Sequence, residues 1–334
     1  MKELGDDIAG VLKDLEEMFN PALLEETVAV DEKPLPDGKR MFSSLFGWVP
    51  TIPDFPVSVY SESDAPELDP FWVWPKDETE VAVWALENNM PVRAVGMPGG
   101  GKSEFARNLA AITGRAFCRI NFHGEVFLED IIGKTDLVSG ETRFTYGDVP
   151  KYVQRPCLML LDEVSAAKPG LYMGFLQRFL EAKVTKIQAT GEEIPPHPGL
   201  WVMGADNALG LGDNRGKFPT RNVQDISTLN RWPVTVHVNY MDTDQMTNLI
   251  KAHVPELHVG QCGKLARFGA LCQTAFMQGD IPLTFSLRQA IPIAKMAVAF
   301  MDMRKAIQVN YLNSFADAAH KAAIEGFINT LWTN

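Results

Sequence analysis

The chain is short of cysteine, of histidine and of positive charge. Its four cysteines, Cys118, Cys157, Cys262 and Cys272, are scattered, and none forms a Cys-x-x-Cys pair. That spacing excludes a disulfide framework or a zinc knuckle. It predicts reduced, mostly buried thiols and a cytoplasmic location. The six histidines show no ligand spacing, and His253 and His258 are not one helical turn apart, so no structural metal site is expected. Lys and Arg total 31 against 42 Asp and Glu, a net charge of −11. Phosphate backbones are held by clustered cations, so nucleic acid is an unlikely partner, although Lys183, Lys186 and Lys217 could still line a local basic pore. No apolar run approaches the ~20 residues that cross a bilayer. The stretch Met1–Asp7 is acidic and lacks the apolar segment of a secretory leader. Neither a membrane span nor a leader is expected.

With 334 residues the chain can bury a full core, and the pattern divides it in three. Residues 1–45 read as a helix and a linker. Leu4, Ile8, Val11, Leu12, Leu15 and Phe19 recur at helical spacing, and Pro21, Pro34, Pro36 and Gly38 then interrupt the chain. That helix suits packing on its own domain and docking to a partner equally well. Residues 46–241 alternate strand and helix, which predicts an α/β fold with a parallel sheet covered on both faces. The expected strands are Val92–Val95, Ala116–Ile120, Leu158–Leu161, Leu200–Met203 and Val234–Val238. Residues 242–334 show no strand signal. Asp242–Val254, Gly260–Gln278, Phe285–Met303 and Phe315–Leu331 read as helices of a second, α-helical domain.

What the chain does have is Gly96-Met97-Pro98-Gly99-Gly100-Gly101-Lys102-Ser103, with Glu104 after it. Glycine, four residues, then Gly-Lys-Ser is the phosphate-cradling P-loop pattern. Glycines let successive backbone N–H groups curl inward, and the helix that follows adds its positive end. Lys102 would reach the β- and γ-phosphates of ATP, and Ser103 would hold Mg²⁺. The context fits, with an apolar strand before the loop and a helix from Ser103 to Ile112 after it.

A second apolar strand ends in the acids Asp162 and Glu163. Beside the P-loop strand, those acids would lie at the carboxyl edge where open α/β sheets bind ligands. Asp162 would hold the Mg²⁺ shell and Glu163 would deprotonate the attacking water. One carboxylate cannot easily do both, so the pair suits hydrolysis. A third strand ends at Asp206-Asn207, where the amide of Asn207 suits positioning of that water.

With these motifs the chain resembles the AAA+ ATPases of the MoxR group, and in particular the small ATPase subunits of aerobic cobaltochelatases. Further stretches carry the resemblance. Asp136 to Thr145 reads as a hairpin with a Ser139-Gly140 turn, where this clade inserts one in its second helix. Phe175 to Glu181, Asn207 to Asp213, and Leu229-Asn230-Arg231-Trp232 are the others. The resemblance implies an AAA+ core with a helix-2 hairpin insert, followed by a helical lid. It implies that Arg231 is an arginine finger for a neighbouring subunit's ATP, where a rigid guanidinium fork stabilises the transferring phosphoryl group. It implies that Arg288 is the lid arginine that reaches the γ-phosphate. Arg178, Arg215 and Arg221 are weaker candidates for contacts between subunits. The expected assembly is a homo-oligomeric, six-membered ring. The expected partner is a protein with a von Willebrand factor A domain, and the alternative function is Co²⁺ insertion into a corrin-ring precursor.

Overall fold

The structure is a computed structural model that describes residues 38–123, 125–138, 141–207 and 229–332. The expected helix from Leu4 to Phe19 therefore lies outside the described residues. From Gly38 the chain enters the compact body directly. Strand β1 (Lys39–Met41) pairs antiparallel with β2 (Pro56–Ser58), and the short helix α1 (Phe42–Phe46) lies between them. Phe42 and Phe46 pack with Trp48, Phe55 and Trp74. In sequence, residues Phe46 to Trp74 are rich in proline, tryptophan and acids with no clear period, and this cluster explains why. Its aromatics converge from irregular backbone onto α2 (Lys76–Glu87) and the sheet instead of lining one face of one element.

Then come β3 (Val92–Val95), α3 (Lys102–Ile112) and β4 (Ala116–Asn121). Helix α4 (Leu128–Ile132) leads into an antiparallel pair, β5 (Gly133–Val138) with β6 (Glu141–Tyr146), and α5 (Asp148–Tyr152) follows. These are the two arms of the expected hairpin insert, and its Ser139-Gly140 turn lies outside the described residues. Strand β7 (Cys157–Asp162), α6 (Gln177–Ala182), the short pair β8 (Thr185–Lys186) and β9 (Glu193–Ile194), β10 (Leu200–Asp206) and β11 (Val234–His237) complete the α/β body. All five expected strands are present. They form one parallel sheet in the order β11-β3-β10-β7-β4.

The sheet is covered on both faces, which is why its strands read as continuous apolar runs. Cys157, Met159 and Leu161 of β7 face one core, and Leu158 and Leu160 face the other. The fully buried guanidinium of Arg115 ties the N-terminal segment to this body. It stacks 3.5 Å from the Trp201 ring, pairs with Glu87 at 3.0 Å and donates to the Ser58 carbonyl at 2.8 Å. Burial pulls its pKa down to about 10. All four cysteines are buried free thiols, and burial raises the pKa of Cys118 to about 12.

The C-terminal part is helical, as expected: α7 (Thr243–His253), α8 (Val259–Gln278), α9 (Leu287–Phe300), α10 (Met303–Asn310) and α11 (Ala318–Leu331), around a core of their own. One expectation is corrected here. Phe285–Met303 is not a single helix. Met301 turns left-handed, with φ 53°, and ends α9; the Asp302 carboxylate then accepts from Lys305 N at 3.0 Å and starts α10. The apolar Met301 and Met303 hid that break. No helix among the described residues is long and apolar enough to cross a membrane.

A second correction concerns Lys183. As a pore-lining cation it would have to be exposed, yet only 3% of its surface is. It caps α6 in a left-handed conformation, and its Nζ donates to Asn89 Oδ1 at 2.5 Å. Lys186 is exposed and pairs with Glu193, while Lys217 lies outside the described residues. Burial pulls the Lys183 pKa from 10.5 to about 8. Between those values the unfolded chain binds more protons at this site than the folded chain, so the destabilisation it carries is full below pH 8 and fades toward pH 10.5. Lys183→Met removes that dependence. Urea unfolding should show the variant gaining most over the parent below pH 8 and losing that advantage as pH rises; a pH-independent difference would contradict the assignment.

Candidate active site

Strands β3, β7 and β10 run parallel with their carboxyl ends level. Asp206 lies opposite Val95, and Ala205 opposite Asp162. Whatever follows each strand is therefore delivered to one edge. After Val95 the chain turns through Gly96–Ser103 into α3. Two glycines have no substitute there. Gly96 holds φ 156°, and a Cβ on it would sit 2.2 Å from the Val238 carbonyl oxygen. Gly99 holds φ 79°, and a Cβ would sit 2.7 Å from Ser286 Cβ on the lid. The loop is thus pressed between the end of β11 and the start of α9. Tyr240 Oη reinforces that seam by donating to the Pro98 carbonyl at 3.1 Å.

Lys102 is buried, and its Nζ donates to the carbonyls of Gly96 and Met97, both at 2.9 Å, and to Asn207 Oδ1 at 2.7 Å. The amide of Asn207 donates onward to Glu163 Oε1 at 2.8 Å. Lysine, amide and carboxylate, more than forty residues apart in sequence, so form one continuous relay. Ser103 Oγ donates to Asp162 Oδ2 at 2.9 Å. A hydroxyl and a carboxylate that close together are hard oxygen donors of the kind Mg²⁺ takes alongside phosphate. Glu163 has φ 58° and ψ 42°, a left-handed backbone that costs an ordinary residue about 1–2 kcal/mol. The turn folds its side chain toward Asn207 while Asp162 faces Ser103, so adjacent carboxylates address different partners.

Of the residues expected at the site, Pro98, Gly99, Gly100, Gly101, Lys102, Ser103, Glu104, Asp162, Glu163, Asn207 and Arg288 line a single cleft between the sheet edge and the lid. Gly96 lies behind it, at the root of the loop. Arg288 is exposed at the start of α9, whose Ser286 cap accepts from its backbone N–H at 3.3 Å. Arg231 does not reach this cleft; its Nη2 pairs with Glu181 at 2.8 Å. Arg178 pairs with Glu193 on the surface, and Arg215 and Arg221 lie outside the described residues.

Sequence reasoning missed two groups. Arg119 of β4 donates through Nε to Asp162 Oδ2 at 2.7 Å, from the cleft wall. A lone arginine in the apolar strand Ala-Phe-Cys-Arg-Ile was the available signal. Trp72 also lines the cleft, its ring 3.4 Å from where a Gly101 Cβ would stand. It comes from the segment that showed no period.

A parallel sheet with a P-loop, an acidic pair and a polar strand tip converging beneath a helical lid is the P-loop fold of the AAA+ class. A family model described as the AAA domain of the dynein-related subfamily matches residues 92–223. The aerobic cobaltochelatase subunit CobS of Sinorhizobium sp is 28% identical over 298 residues, covering 86% of this chain and 88% of CobS. Protein NorQ of Paracoccus denitrificans is 31% identical over 138 residues, covering 41% of this chain and 51% of NorQ. An uncharacterized Staphylococcus aureus protein is 25% identical over 251 residues, covering 73% of this chain and 90% of its own length. The chain is thus similar to AAA+ ATPases of the MoxR type, CobS and NorQ among them.

The cradle makes a sharp prediction. Gly96→Ala must move either the loop or Val238, so binding of a fluorescent ATP analogue should weaken ~10-fold or more, about 1.4 kcal/mol. Unchanged affinity would show that the loop does not set the binding geometry.

Proposed function

We propose that this chain is an ATP-hydrolysing ring motor that remodels or activates a dedicated protein partner. The observation that carries the reading is the relay from Lys102 through Asn207 to Glu163, beside the Ser103–Asp162 pair. It gathers in one cleft a phosphate-binding ammonium, an amide that can hold a water, and a carboxylate that can take its proton. The P-loop N–H groups and Lys102 bind the triphosphate. Ser103 and Asp162 would hold Mg²⁺, which when bound would neutralise charge on the phosphates. Asn207 orients the attacking water and Glu163 accepts its proton; a switch that only bound nucleotide would need no such base. Arg288 reaches over from the lid to the γ-phosphate.

Arg231 acts on a neighbour. It stands outside its own cleft, so an arginine finger at this position requires an adjacent subunit, and a six-membered ring supplies one. The partner class we favour is a protein with a von Willebrand factor A domain, on the resemblance to the MoxR group. The second reading, the motor subunit of a cobaltochelatase, is favoured by the match to CobS along most of both chains. Product formation on reconstitution with the other chelatase subunits separates the two. A DNA-acting ring is the weakest reading: the chain carries −11, and Lys183 is buried.

Two experiments test the chemistry. Glu163→Gln should retain ATP affinity and lose turnover by at least ~100-fold, as expected when a general base is removed; turnover at the parent rate would refute the base assignment. Arg231→Ala should bind ATP normally and hydrolyse none. Mixed with Lys102→Ala, which binds poorly, it should regain part of the activity in mixed rings. No recovery at any mixing ratio would place Arg231 outside the trans role.

A further inference from the structure

We infer that Asp206 and Ser165 are positioning residues for Glu163, a role that rests on the hydrolytic reading above. Asp206 is the last residue of β10 and is completely buried. Its carboxylate grips the turn that follows the acidic pair at two points. Ser165 Oγ donates to Oδ1 at 2.7 Å, and Ser165 N donates to Oδ2 at 3.0 Å. Ser165 is itself completely buried. The charge is balanced by Arg93 of β3, whose Nη2 lies 3.4 Å from Oδ2 and whose side chain is 4% exposed.

The placement matters because of what lies on either side. Ser165 is two residues beyond Glu163 in a single 3₁₀ turn, closed by Ala166 N donating to the Glu163 carbonyl at 2.8 Å. Glu163 enters that turn left-handed, a conformation it keeps only where its surroundings over-determine it. Asn207, the residue after Asp206, holds the Glu163 side chain. Two consecutive residues at one strand tip therefore fix both halves of the glutamate's geometry: Asp206 fixes the backbone turn and Asn207 the carboxylate. Because Asp206 also pairs with Arg93 within the P-loop strand, one buried carboxylate ties together the three strands that build the site. Hydrogen bonds to a charged group in a dry interior are strong enough to rigidify what they hold.

Asp206→Ala would strand a buried arginine and could simply fail to fold. Ser165→Ala is the informative variant, since it removes one hydroxyl and leaves the ion pair. The expected result is a kcat lower by about ten- to a hundredfold, the range for a misplaced catalytic group. The Kd for a non-hydrolysable ATP analogue and the KM for ATP should be unchanged, while the melting temperature falls by a few degrees because a buried hydrogen bond to a carboxylate is lost. In a Glu163→Gln background the same change should cost nothing further, because it acts only through that carboxylate. A parent kcat in Ser165→Ala would overturn the positioning role. So would a fall in kcat matched by an equal fall in affinity for the ATP analogue. Parent enzyme without any Glu163-dependent turnover would instead overturn the hydrolytic reading, and this inference with it.

Discussion

Three parallel strands, β3, β10 and β7, end side by side, and the site exists because they do. Parallel pairing in this register brings Val95, Asp206 and Asp162 to the same edge. A shift of one residue in β10 would turn its side chains to the opposite face and remove Asn207 from between Lys102 and Glu163. The cores on both faces of the sheet prevent such a shift. β7 and β10 are apolar at every interior position and β3 at all but Arg93, whose pairing with Asp206 a slipped register would break. Arg93, Asp206 and Ser165 add a polar lock at the edge itself, where apolar packing ends.

The lid depends on the same edge. The Gly96–Ser103 loop leaves no room for side chains against Val238 or Ser286, so body and lid meet across glycine backbone. Under the proposed function a nucleotide bound there would touch both parts at once, and the start of α9 would carry Arg288 to it. A change in the phosphates would then act where it could alter the lid angle. Arg231, paired with Glu181 of α6 and outside the cleft lining, would extend the same logic to a second subunit.

Much of this was legible in the sequence, for identifiable reasons. The P-loop and the five strands are local signals: glycine spacing, and apolar runs of strand length. Asp162, Glu163 and Asn207 follow from a single rule, that polar residues at the carboxyl ends of such strands meet a ligand. What could not be read depends on partners distant in the chain. Asp206 looked like one more polar residue at a strand tip, and its partners lie at positions 165 and 93. Lys183 looked like a surface cation because lysine usually is one; its burial against Asn89 is a tertiary fact. The break at Met301 was hidden because methionines on both sides continued the helical period. The aromatic segment from Phe46 to Trp74 has no period to find, since its order is that of a cluster.

The most direct test is a structure determined with Mg²⁺ and a non-hydrolysable ATP analogue. The triphosphate should lie along Gly96–Ser103, with Mg²⁺ held through Ser103 and Asp162 and with Glu163 and Asn207 flanking the γ-phosphate. Arg231 of an adjacent subunit should stand at that phosphate. Nucleotide bound elsewhere, or bound in this cleft with Glu163 and Asn207 turned away from the γ-phosphate, would contradict this reading.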